Sequence, residues 1–307
     1  MSATHNFVRK LFFYLLVLAG STVIQGQSLP LDHQGKLIPV RELRCPELEM
    51  SLKNEIARHP LWKGLIESKK MAIGIADLRE IEEVHYAGLN DDQMMYAASL
   101  PKIAVLLAVH DAIQRGELEE TPELEDDLKE MISRSNNQIT TKYIDILGYE
   151  KIELSLRDAY HKLYAEEVGG GLWVGKRYAS SGERYPDPLT GLSHGATASQ
   201  AVSFYYQLAF GHLINRERSA KMLEALKDPE LKHKFVNTLI SVAPDAEIYR
   251  KSGSWKSFHS DSVLVWGPER RYILVALVED PAGEQIIRDL VEPMESVLTS
   301  YRAPNCN

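Results

Sequence analysis

The sequence predicts an α+β fold: an antiparallel five-stranded sheet covered by terminal helices, plus an all-helical lobe. Two strand-like runs come early, at 71–78 (Met-Ala-Ile-Gly-Ile-Ala-Asp-Leu) and 83–87. Three more come late, at 247–255, 260–266 and 272–279. The stretch between them, from 99 to 239, follows helical periodicity. Strands and helices kept in separate runs argue against alternating βαβ units.

The first residues have the form of an export signal. Arg9 and Lys10 precede an apolar run over 11–24, and small residues at 20–26 allow cleavage before Gln27. The run is shorter than the roughly 20 residues a membrane-spanning helix needs. Residues 1–26 are therefore expected to be a signal peptide, and 27–307 the mature domain, periplasmic or secreted.

A helix is expected over 48–68, with Leu48, Leu52, Ile56 and Leu61 on its apolar face. The early hairpin follows. Helical segments are expected near 99–116, 122–134, 137–147, 149–163, 196–212 and 216–239. Gly267-Pro268-Glu269-Arg270 supplies a turn between the last two strands, and an amphipathic helix over 284–301 closes the chain. The simplest packing puts hairpin and meander in one sheet. The α/β lobe then takes in about 40–98 and 240–307, and the helical lobe about 99–239. The groove between them is the default place for a site.

A chain of 307 residues with 44% apolar content can bury a substantial core. Its net charge of −8 offers no basic stripe for a nucleic-acid partner. Cys45 and Cys306 stand at opposite ends of the mature chain, without the spacing of metal ligands, and the histidines are scattered. No metal or cofactor is implied. The two cysteines are either a pair or two unrelated thiols. If the terminal helices lie side by side, a bond between them closes a loop worth roughly 4–5 kcal/mol in the chain-entropy picture.

Three strings carry the chemistry. Ser99-Leu100-Pro101-Lys102 opens an apolar helix, where Ser99 is either an ordinary N-cap or a nucleophile. Lys102 shares its face at i+3 and sits where the helix dipole disfavours a cation. Burial there lowers the lysine pKa and frees an amine to take the serine proton. Ser135-Asn136-Asn137 lies at an inter-helix turn, either as capping residues or as a second hydroxyl and an amide facing a substrate. Lys251-Ser252-Gly253-Ser254 lies in a strand, either as an exposed lysine beside a bulge glycine or as a close approach to a backbone or ligand with the lysine attracting a carboxylate.

Taken together, in this order, the strings resemble the S-x-x-K, S-D-N and K-T-G motifs of the penicillin-recognising serine enzymes, most closely class A β-lactamases. The segments 131–137 and 143–148, and Ala196-Thr197-Ala198-Ser199-Gln200, extend the resemblance over essentially the whole mature chain. It implies a β-lactamase/transpeptidase-like fold, with Ser99 as the acylated nucleophile and Lys102 as its proton-transfer partner. It also implies proton relay by Ser135, amide binding by Asn137 and carboxylate attraction by Lys251 on its Lys-Ser-Gly strand, with Ser252 in place of the family's threonine. The oxyanion hole would be the backbone N–H groups of Ser99 and Ser254.

Two departures bear on turnover. The distance from Ser99 to Ser135 is shorter than in class A enzymes, and the loop over 169–194 lacks their Glu-x-x-Leu-Asn string. Glu183 stands at about the right distance before Thr197 to be the deacylation base, but Pro186-Asp187 occupies the place of Leu-Asn. Without such a base, acylation proceeds and turnover of β-lactams stalls. The expected activity is hydrolysis of a β-lactam-type amide. The alternatives are a D-Ala-D-Ala peptidase or another amide or ester hydrolase acting on a peptidoglycan-type peptide, and a non-catalytic binding module.

Overall fold

A computed structural model describes residues 28–158 and 160–301. The expected signal peptide and Cys306, hence the pairing with Cys45, lie outside the described residues.

Alternation of apolar side chains builds a five-stranded antiparallel sheet from β1 (Met71–Asp77), β2 (His85–Leu89), β8 (Glu247–Trp255), β9 (Phe258–Trp266) and β10 (Arg271–Glu279), in the order β2-β1-β10-β9-β8. The early hairpin joins the late meander through β1 and β10, with Met71 opposite Val278 and Asp77 opposite Tyr272. β8 is therefore an edge strand. Very short strands β3 (Met95–Tyr96), β4 (Tyr164–Ala165), β5 (Gly170–Gly171), β6 (Trp173–Val174) and β7 (His194–Ala196) form two small sheets, one ordered β3-β7-β6 and the other pairing β4 with β5.

The period of two sorts the large sheet into two faces. Ile73, Ile75, Val263, Val265, Leu274 and Ala276 point outward. They pack under α1 (Pro46–Ala57), α2 (Pro60–Glu67), α10 (Gly283–Asp289) and α11 (Val291–Ser300). Ala72, Ala76, Leu264, Ile273, Val275 and Leu277 point inward against α3 (Lys102–Gln114) and α7 (Ala198–Ala209). The other helices of this lobe are α4 (Pro122–Ser133), α5 (Asn137–Leu147), α6 (Tyr149–Arg157) and α8 (Arg216–Leu226). Side-chain caps set the starts of α4, α7 and α8: Thr121 accepts from Leu124 N–H at 3.2 Å, Thr197 from Gln200 N–H at 3.2 Å and Asn215 from Arg218 N–H at 2.9 Å.

Several boundaries differ from the sequence reading. The first expected helix divides at His59-Pro60, because proline cannot continue the hydrogen-bond ladder. The expected helix over 216–239 divides as well. Its second half is α9 (Phe235–Val242), whose Phe235, Val236 and Leu239 join the outer face with the terminal helices. No helix among the described residues is long and apolar enough to cross a membrane.

Candidate active site

Four elements meet beside the edge strand. The turn before α3 carries Ser99, the first turn of α3 carries Lys102, the α4–α5 junction carries Ser135 and Asn137, and β8 carries Lys251 to Ser254.

Ser99 does not cap α3. The helix begins at Lys102, Pro101 precedes it, and no side chain caps it. The Ser99 hydroxyl has no hydrogen-bond partner among the described residues. The turn itself is tightly held. Ala98 adopts φ 51°, a left-handed conformation costing on the order of 1–2 kcal/mol for a residue with a Cβ. Ala97 N–H donates to the His194 carbonyl at 2.9 Å, and Leu100 N–H to the Ala97 carbonyl at 3.1 Å. Gly253 lies flat against it: a Cβ there would stand 2.3 Å from the Ala97 oxygen and 2.4 Å from the Ser99 nitrogen. Only glycine lets the strand approach so closely.

Lys102 is fully buried. Its Nζ donates to the Ser135 carbonyl at 2.5 Å and to Asn137 Oδ1 at 2.7 Å, and lies 3.2 Å from Ser135 Oγ. Lys251, also buried, reaches the same hydroxyl from the strand, with Nζ 2.9 Å from Ser135 Oγ and 2.8 Å from the Ser252 carbonyl. One hydroxyl thus bridges two amines. Burial lowers the Lys102 pKa to about 7. Burial, then the neighbouring Lys102 and Arg250 charges, push Lys251 well below the ordinary lysine range. Ser135 sits at φ 59°, and Asn136 fixes that corner. The Asn136 side chain accepts from Gln138 N–H at 2.9 Å and Ile139 N–H at 3.1 Å, and donates to Glu130 at 2.8 Å.

Ser252 is buried opposite Asp261, and Ser254 is exposed at the strand's end. Behind them stands a cation that sequence reasoning missed. Lys234, completely buried just before α9 at φ 56°, donates to the Gly253 carbonyl at 2.5 Å, Ser254 Oγ at 2.8 Å and the Ser260 carbonyl at 3.0 Å. Burial lowers its pKa to about 8. Lys234 was hidden because the flanking apolar residues read as one continuous helix, whereas its side chain turns back to brace β8.

Glu183 is not brought to this cluster. It lies on the exposed return limb of a hairpin arm, with Lys176 paired to Arg184, and its own carbonyl accepts from the Tyr149 hydroxyl at 3.4 Å. Among the described residues, no carboxylate hydrogen-bonds Lys102, and burial alone shifts its pKa. The outgoing limb presents Tyr178 instead, its ring centroid 4.7 Å from Lys102 Nζ. Sequence gave no sign of this, because a tyrosine in an unfamiliar loop has no motif around it.

The site thus gathers a hydroxyl on a braced turn and two buried, hydroxyl-bridged amines, set in an α+β fold. The model of the Beta-lactamase enzyme family matches residues 119–294, and the chain belongs to that family, at this level a β-lactamase-type hydrolase. A sequence search among curated proteins finds no significant match. Among solved structures, a β-lactamase from Sphaerobacter thermophilus DSM 20745 superposes with TM-score 0.60 at 18% identity, covering 80% of this chain and 95% of that one. A β-lactamase from Chitinophaga pinensis DSM 2588 gives TM-score 0.62 at 14% identity, covering 81% and 99%. A PBP-A variant solved as an acyl-enzyme complex with penicillin G gives 0.60 at 18% identity, covering 86% and 99%. At such identities these likenesses establish a shared fold.

Proposed function

We propose that the protein is an exported serine hydrolase that acts on a β-lactam-type amide through an acyl-enzyme at Ser99. The observation that carries this reading is the Ser135 hydroxyl, 3.2 Å from Lys102 Nζ and 2.9 Å from Lys251 Nζ, beside the braced Ser99 turn. With a pKa of about 7, about half of Lys102 is available as a neutral base at pH 7. It takes the Ser99 proton as Oγ attacks the carbonyl carbon. The backbone N–H groups of Ser99 and Ser254 receive the oxyanion. As the C–N bond breaks, Ser135 passes its proton to the leaving nitrogen and is reprotonated from the lysine pair. Asn137 holds the substrate amide, and Lys251 with Ser252 attracts its carboxylate.

A second reading is favoured by one observation: among the described residues, no carboxylate hydrogen-bonds Lys102. Such an enzyme is acylated by penicillin but releases it slowly, as a D-Ala-D-Ala peptidase would. Intact-mass analysis after exposure to penicillin G tests both. One adduct mapped to Ser99, and none on Ser99→Ala, is expected. Rapid loss of the adduct favours the lactamase and persistence favours the peptidase. No adduct on the wild type overturns both.

A further inference from the structure

The hairpin arm between β6 and β7 is built to deliver one side chain. Its base is fixed by Gly175 N–H donating to the Ser193 carbonyl at 2.6 Å and Tyr185 N–H to the Gly175 carbonyl at 2.7 Å. Tyr185 is clamped between Trp173 and Tyr149, with ring centroids at 5.7 and 5.6 Å and the planes nearly parallel. Arg177 pairs with Asp145 on α5 at 2.5 Å. His194 Nε2 donates to the Lys176 carbonyl at 2.9 Å. Between these anchors, the Tyr178 ring packs on His194 with centroids 4.3 Å apart and covers the Lys102 amine. Its hydroxyl donates to the Ala98 carbonyl at 3.1 Å, in the left-handed residue just before Ser99.

We propose that Tyr178 is the positioning residue of this site: its ring seals the Lys102 amine from water and its hydroxyl fixes the Ser99 turn, so that the lysine works without a carboxylate partner. This rests on the acyl-enzyme reading for its consequence but not for its geometry. The two contacts have separable effects. The ring face displaces water that would solvate an ammonium, and removing it restores hydration of the charged form. The hydroxyl restrains a strained carbonyl, and removing it loosens the nucleophile without wetting the lysine.

The groups facing Lys102 are few. Lys251 approaches from β8 through the shared Ser135 hydroxyl, and its own pKa is pushed down by burial and by the Lys102 charge. His194 from β7 is held neutral, its pKa lowered to about 4 chiefly by burial, with Lys102 adding a smaller push. Asn137 and Ser135 from the α4–α5 junction are uncharged. Tyr96 lies beyond His194, with ring centroids 6.1 Å apart. None supplies a negative charge, so hydration is the variable that Tyr178 controls.

The experiment measures the titration midpoint of Lys102 in the free protein, by NMR of the lysine Cε groups assigned through Lys102→Arg, alongside the pH profile of acylation by penicillin G. Tyr178→Phe is expected to keep the wild-type midpoint and to lower the acylation rate several-fold. Tyr178→Ala is expected to raise the midpoint by more than one pH unit, with the acid limb of acylation moving by the same amount. An unchanged midpoint in Tyr178→Ala, in protein whose amide spectrum remains native, overturns the proposal. So does a Tyr178→Phe midpoint as displaced as that of Tyr178→Ala. A wild type that shows the midpoint behaviour but no adduct at Ser99 overturns the acyl-enzyme reading and leaves the positioning role standing.

Discussion

Adjacent residues on β8 bury their charges in opposite ways. Arg250 is completely paired: its guanidinium meets both oxygens of the buried Asp261 at 2.6 and 2.9 Å, and donates to the Leu231 and His233 carbonyls at 2.9 and 3.3 Å. Asp261 also accepts from the backbone N–H groups of Phe235 and Ser262, at 3.2 and 3.0 Å. One residue further along, Lys251 turns to the other face, toward Ser135 and Lys102, where no carboxylate among the described residues hydrogen-bonds either amine. The first arrangement satisfies every charge and locks β8 and β9 to the approach of α9. The second leaves two amines to share one hydroxyl, and burial lowers the pKa values of both.

Substitutions can separate the two sites. Lys102→Ala is expected to slow acylation by about 10²–10⁴-fold, the usual contribution of a positioned general base, and to cost about 1–3 kcal/mol of stability through the acceptors it leaves open, with no buried counter-charge left unpaired. A stopped-flow acylation assay paired with thermal melting reads both quantities. Asp261→Ala is expected to do the reverse and cost about 3–5 kcal/mol in denaturant unfolding, since Arg250 would remain buried and unpaired. If Asp261→Ala instead leaves stability intact, the division between a structural pair and a catalytic pair fails.

A third buried group sharpens the comparison at lower amplitude. His110 on α3 has both ring nitrogens without hydrogen-bond partners, and burial, aided by Arg218, lowers its pKa to about 4. Below the ordinary histidine value of about 6.5, the unfolded chain takes a proton that the native core refuses, so stability falls from about pH 6.5 down to 4. His110→Leu is expected to reduce that loss in acid unfolding curves without altering acylation at pH 7. The smallest expected effect is at the α5 cap: Asn136→Ala should cost about 1 kcal/mol by melting and lower acylation only modestly, through a looser Ser135 corner.

The large sheet was legible because its strands are short apolar runs bounded by turn residues, and much of the helical block because caps (Thr121, Asn136, Thr197, Asn215) are residues whose side chains accept from the first turn. The meeting of Lys102, Ser135 and Lys251 was legible as an expectation because the proposed acyl transfer would need those side chains on particular elements, and elements have recognisable starts. What escaped the sequence depends on contacts without a local signature. The strands of the small sheets are too short to show a period. The arm at 175–185 is held by aromatic stacking and one ion pair rather than by a repeating pattern, so Tyr178 and Glu183 could not be ranked by position alone. Lys234 acts by reaching back across the chain to Gly253 and Ser260.

The central claim is that an uncompensated buried lysine, with no carboxylate beside it, activates Ser99. The measurement that tests it most directly is the pH dependence of the acylation rate constant with penicillin G, from pH 4 to pH 9. The amine must be neutral to accept a proton. A Lys102 pKa of about 7 therefore gives a rate that is level above neutrality and falls roughly tenfold per pH unit below it. An acid limb below pH 5 would mark a carboxylate as the base, and a flat profile would remove Lys102 from the proton transfer; either result contradicts the account.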